Sequence, residues 1–233
     1  MKDIEHDEAV YYMHLDATSD WANKLLSKNR KVTALLNKLR DSLQPTMTKL
    51  GSSFAATGLS ANFWTLVGLL VSLLAGAIYA SPAAGVPWYT AAVLGGVALL
   101  VSGFFDMIDG SVARITGKTS KRGAFLDSSF DKVAEVAVFL GIAIGGLAQP
   151  TWAMLALAMS LLVSYTRARA ESVGVELKGV GIGERAERLL IVALVGMIPH
   201  PEALNWAMII VSIVAGITLG QRIVATSRRL STT

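Results

Sequence analysis

Six apolar runs dominate this chain, and they come as solid blocks rather than as the one-sided stripes of a soluble amphipathic helix. They cover Asn62–Ala80, Tyr89–Ile108, Phe130–Ala148, Trp152–Tyr165, Leu189–Ile198 and Leu204–Ile223. A helix that crosses a hydrocarbon core of ~30 Å needs ~20 mostly apolar residues. The fourth and fifth runs reach that length only if their helices continue through Arg167–Glu171 and Glu184–Arg188, which sets charge at the membrane boundary. Charged residues make up 16% of the 233, where a soluble domain carries about a quarter. The expected fold is all-α and integral to the membrane, with six transmembrane helices. Cysteine is absent, and His6, His14 and His200 are scattered, so neither a disulfide framework nor a thiolate or paired-histidine metal site is available. No cleavable signal peptide is visible ahead of the first run.

Positive charge orients the runs. The loops Ser81–Pro87, Gln149–Thr151 and Pro199–Asn205 hold no Lys or Arg; all 21 basic residues lie in the tails, the alternate loops or the helix ends adjoining them. The positive-inside rule then places both termini and both charged loops in the cytoplasm of a multi-pass cell-membrane protein. The net charge of +4 becomes a one-sided field facing anionic headgroups, with no nucleic-acid partner implied. Residues 1–50 form an N-terminal cytoplasmic or juxtamembrane segment. Leu25, Leu26, Val32, Leu35, Leu36, Leu39 and Leu43 fall near helical spacing there, which predicts a helix lying in the interface. Residues 51–228 form the membrane domain and 229–233 a short tail.

Against this apolar background, four aspartates stand out. Asp106 and Asp109 are three apart and Asp127 and Asp131 four apart, so each pair shares one face of a helix. One pair closes the second run and the other opens the third, with a short cytoplasmic loop between them. Carboxylates at a membrane surface are costly and tend to mark function. Brought together they need neutralising, and the fitting agent is a hard cation, Mg²⁺ or Mn²⁺; two such ions can clamp a phosphoryl group. Gly110 and Ala113 leave a bare surface beside Asp109, and Arg114 adds a charge that suits a diphosphate. Loop carboxylates paired with Lys118, Lys121, Arg122 and Lys132 are the plainer alternative.

The spacing Asp106-x-x-Asp109-Gly110-x-x-Ala113-Arg114, eight residues, then Gly123-x-x-x-Asp127-x-x-x-Asp131 resembles the signature of the CDP-alcohol phosphotransferases. The resemblance runs over roughly Leu36–Arg222. It implies a six-helix fold, a homodimer, a two-metal site and a reaction in which a CDP-activated alcohol passes its phosphoalcohol part to an acceptor hydroxyl as CMP leaves. By the matching positions Asp106, Asp109 and Asp127 hold metal, and Asp131 is the catalytic base that also touches a metal. Gly110, Ala113, Arg114 and Gly123 meet the CDP-lipid. Asn62 and Thr65 match a further family element at the entrance to the first run. Ala61 and Trp64 depart from it, and Ser60 reads more simply as a helix N-cap.

The second cytoplasmic loop bears on the acceptor. Arg167 and Arg169 end the fourth run, and Arg185 and Arg188 open the fifth. Four guanidinium groups suit an acceptor that carries a phosphate; ordinary positive-inside charge paired with Glu171, Glu184 and Glu187 is the alternative. The pattern Ser-Tyr-x-Arg-Ala-Arg-Ala-Glu, then Glu-Arg-x-Glu-Arg-Leu-Ile, is similar to the family branch of phosphatidylinositol phosphate synthases and archaetidylinositol phosphate synthases. That branch implies inositol 1-phosphate as acceptor and CDP-archaeol or CDP-diacylglycerol as donor, both met at the membrane lipid surface. Glycerol 3-phosphate is the competing acceptor. From other classes, a small cation transporter would use intramembrane carboxylates, although near the midplane, and a lipid-binding scaffold would not need both aspartate pairs.

Overall fold

The computed structural model describes residues 48–177 and 179–231. The interfacial helix expected in residues 1–50 lies outside them, apart from positions 48–50, where 48–55 is helical. The described residues contain no strand. Six main helices follow: α1 (Ala61–Ala80), α2 (Trp88–Thr116), α3 (Lys121–Ile144), α4 (Pro150–Ser172), α5 (Arg185–Gly196) and α6 (Ala203–Ser231). Each apolar run falls on one of them, the third and fifth running a few residues past the helix end. The charged extensions also form: α4 continues to Ser172 and α5 starts at Arg185.

Local chemistry sets the ends that matter for function. Ser60 caps α1, its hydroxyl accepting the Phe63 N–H at 3.3 Å. Gly117, at φ 64°, closes α2 in the left-handed conformation that glycine adopts without a Cβ penalty. Ser120 then caps α3 by accepting the Gly123 N–H at 3.0 Å. Only residues 117–120 separate α2 from α3, so the acidic ends of both helices stay side by side.

Helix α1 packs on α2 and α3, α5 on α2 and α6, and α4 on α3 and α6. The core between them includes Tyr79, Val138, Phe139, Ile142, Val192, Met208 and Val211. Lipid offers helices no hydrophobic reason to associate, so close backbone packing over small residues carries the contact. Helices α1 and α3 show this: a Cβ on Gly76 would stand 2.6 Å from the Ala137 carbonyl oxygen, and one on Gly141 would overlap the Gly76 carbonyl. Large apolar side chains face outward instead, among them Leu66, Leu70 and Leu74 of α1 and Ile213 and Ile217 of α6. A surface of this kind suits lipid rather than water. Among the described residues, three stretches are long and apolar enough to cross a membrane: Ala61–Ala84, Trp88–Thr116 and Ala203–Ser231. The 12 residues of α5 rise only about 18 Å.

Candidate active site

The short α2–α3 turn brings the two aspartate pairs together. Carboxylate oxygens of Asp106, Asp109 and Asp127 all lie within 4.8 Å of one another. Asp109 is buried, and its Oδ2 finds no hydrogen-bond partner among the described residues. Asp131 joins through Arg185 of α5: one guanidinium nitrogen, Nη1, stands 2.5 Å from Asp131 Oδ1 and 3.0 Å from Asp106 Oδ1. Burial pushes the Asp127 carboxyl, which lies outside the third apolar run, up from the usual carboxylate range; the charge of Asp106 acts the same way, against Arg185 and Lys132. Arg185 is the one cation bonded to the aspartates among the described residues, and it does not balance four carboxylates. A close set of hard oxygen donors, one of them buried without a partner, fits a divalent cation of the Mg²⁺ or Mn²⁺ type.

One small cavity touches the carboxylates, and a larger hollow lies at the α2–α3 turn. A cavity of about 10 Å³, room for about one water, is lined by Thr65, Ser72, Ser102, Asp106, Asp109 and Asp131 among others. Its polar floor is the Ser72–Ser102 hydroxyl pair, 2.5 Å apart, with Ser102 also donating to the Gly68 carbonyl. A larger hollow of about 490 Å³ is lined by Ser60, Asn62, Thr116, Lys118, Thr119 and Ser120 and their neighbours. Asn62 and Thr65 are three apart on α1 and so share a face: Asn62 lines the large hollow, and Thr65 lies beside Asp109. Gly123 stands where a Cβ would come 3.2 Å from Asn62 Oδ1. Among the described residues, the Arg114 guanidinium alone comes within 4 Å of a would-be Cβ on Gly110, and it donates to Ser111 Oγ at 3.2 Å. Ala113, on the same stretch of α2, is half-buried.

The four arginines of the second loop do not gather at one point. Arg185 sits among the aspartates. Arg188 is 1% exposed and pairs with Glu135, itself fully buried, at 2.8 Å. Arg167 is exposed and pairs with Glu171 at 2.9 Å; Arg169 is exposed and donates to Ser172 Oγ at 3.2 Å. Two charged residues that sequence reasoning passed over belong to the same region. Glu135 continues the four-residue step of Asp127 and Asp131, and that continuation was its signal. Arg222, near the end of the sixth run, is buried on α6 and donates to the Val163 and Val180 carbonyls.

Comparison with known proteins agrees with this geometry. Residues 58–218 match the CDP-alcohol phosphatidyltransferase family profile. The archaetidylinositol phosphate synthase of Pyrococcus horikoshii is 34% identical over 196 residues, covering 84% of this chain and 98% of that one. The crystal structure of Mycobacterium tuberculosis phosphatidylinositol phosphate synthase with CDP-DAG bound superposes with a TM-score of 0.66 at 26% identity, covering 77% of this chain and 92% of the other. The same enzyme in complex with manganese and citrate gives 0.65 at 27% identity, covering 77% and 88%. The eight motif positions, the acidic centre at the α2–α3 turn and a family match over more than half its length agree: the chain belongs to the CDP-alcohol phosphatidyltransferase family and is a transferase.

Proposed function

We propose that the chain moves the phosphatidyl-type group of a CDP-lipid, whether archaeol or diacylglycerol, to inositol 1-phosphate and releases CMP. The observation that carries this reading is the convergence of Asp106, Asp109 and Asp127 within 4.8 Å, with Asp131 held alongside by Arg185. Asp106, Asp109 and Asp127, with Asp131 at their edge, hold two divalent cations, Mg²⁺ or Mn²⁺; bound there, the ions supply positive charge against the diphosphate. Asn62, Thr65, Gly110, Ala113, Arg114 and Gly123 bind the CDP end, and the hollow at Asn62 and Lys118 has room for a nucleoside. Asp131 accepts the proton of the acceptor hydroxyl. That oxygen attacks the lipid-side phosphorus, and the bond from this phosphorus to the CMP oxygen breaks. Arg185 orients Asp131 and presents charge to the acceptor's phosphate; the exposed Arg167 and Arg169 add positive charge along the acceptor's approach rather than at the same point.

The wider setting is part of the same proposal. The chain makes six passes, the fifth by the short α5 together with the segments flanking it, in the membrane of a homodimeric, multi-pass cell-membrane protein, with both termini and the acidic centre cytoplasmic. The membrane domain spans 51–228, between the N-terminal segment and the tail. The archaetidylinositol phosphate synthase likeness supports inositol phosphate over other acceptors. The deciding experiment is CMP release from CDP-archaeol or CDP-diacylglycerol by purified protein, with inositol 1-phosphate, free inositol and glycerol 3-phosphate compared. Preference for free inositol defeats the phosphorylated acceptor, and preference for glycerol 3-phosphate moves the chain to that reaction.

A further inference from the structure

Asp127, Asp131 and Glu135 follow one another on α3 at four-residue steps and share a face; Arg185 and Arg188, three apart on α5, share another. The faces meet in two rungs, Arg185 on Asp131 at 2.5 Å and Arg188 on Glu135 at 2.8 Å. Access separates them. The side chains of the first rung are 17% and 23% exposed, those of the second 1% and 0%.

The inner rung is fully committed. Arg188 Nε and Nη2 donate to Glu135 Oε1 at 3.3 and 2.8 Å, and Nη1 donates to the Gly183 carbonyl at 2.8 Å. Glu135 Oε2 takes Lys132 Nζ at 3.4 Å, and the Gly183 N–H donates to Thr218 Oγ1 of α6 at 3.0 Å. Each Arg188 nitrogen is thus engaged inside the protein and the side chain is sealed from solvent, so it ties α3, α5 and the end of the α4–α5 loop, itself bonded to α6, into one unit rather than meeting a substrate. A buried ion pair is a weak source of stability, since an apolar pair of similar volume often holds a fold as well. What the charged fork supplies is direction: it fixes the height and rotation of α5 against α3. Arg185, one turn away, must reach Asp131 and Asp106 together, and a displacement of ~1 Å at such a site can cost ~100-fold in rate.

We propose that Glu135 and Arg188 are positioning residues that set Arg185 at Asp131, and through it the phosphate end of the acceptor, an inference that rests on the transferase reading. A single change at either position strands a buried charge, so the informative variant is Glu135→Leu with Arg188→Met in full-length protein in lipid nanodiscs. It is expected to fold with a single cooperative melt, lowered at most by what the freed Lys132 amine and Gly183 carbonyl cost, and to keep its KM for CDP-lipid. Its kcat/KM for inositol 1-phosphate falls by about 10–100-fold, as when a supporting shell is lost. Arg188→Lys, which keeps the charge without the fork, falls between the two. Unchanged acceptor kinetics in the folded double variant overturn the positioning role, as does an equal loss toward both substrates in step with a lower Tm. Wild-type protein that releases no CMP with inositol 1-phosphate overturns the transferase reading, and the positioning role goes with it.

Discussion

Arg185 of α5 reaches across to Asp131 of α3 at 2.5 Å, and the same nitrogen stands 3.0 Å from Asp106 of α2. One guanidinium thus joins the helix expected to carry the acceptor's charge to both helices that carry the carboxylates. An arginine never loses its proton in a protein, so the cationic side of the link is present at any working pH.

Arg185→Ala is expected to raise the KM for inositol 1-phosphate. A hydrogen bond to a charged group is worth ~1.5–3 kcal/mol, which corresponds to roughly ten- to a hundredfold in affinity. Steady-state CMP release at saturating CDP-lipid measures it. Arg167→Ala and Arg169→Ala serve as comparisons: both residues are exposed, and two positions apart on a helix they point to different sides. An unchanged KM in Arg185→Ala removes that residue from the acceptor site.

The aspartates are expected to be inequivalent. Asp106→Asn, Asp109→Asn and Asp127→Asn each abolish turnover and weaken Mn²⁺ binding, read by calorimetry. Asp131→Asn abolishes turnover while still binding CDP-lipid. EDTA stops the reaction and added Mg²⁺ or Mn²⁺ restores it; turnover that persists in metal-free buffer counts against the cation assignment.

The absence of native cysteine makes topology directly testable. Ala84, in the turn after α1, and Ser120, at the head of α3, are both exposed. Cysteine at Ala84 should react with an impermeant maleimide from outside intact cells, and cysteine at Ser120 only after the membrane is opened. Labelling of both from one side contradicts the orientation.

Gly141→Ala tests the α1–α3 seam. The added methyl would overlap the Gly76 carbonyl, so the helices must separate. Overpacking of this kind costs ~1–3 kcal/mol, and a lower Tm in detergent or nanodiscs is the expected result. Glycine at the same place on α1 makes Gly76→Val a second probe, with a larger effect.

Sequence alone determined that these helices form and where the carboxylates stand along them. Apolar blocks of near-spanning length, Ser60 and Ser120 as caps and Gly117 as a stop are local features, and local chemistry decides them. The convergence of Asp106, Asp109 and Asp127 was legible for the same reason: a four-residue turn leaves the ends of α2 and α3 little freedom to part. The fates of Arg185 and Arg188 were not legible. Both sit on one face of α5 by their spacing, yet one lies among the active-site carboxylates and the other is sealed against Glu135. That difference depends on the depth at which α5, packed on α2 and α6, brings its face to α3, through side chains more than fifty positions apart. Helical periodicity reports which face a residue occupies, but only packing between distant helices decides what that face meets and whether solvent reaches it.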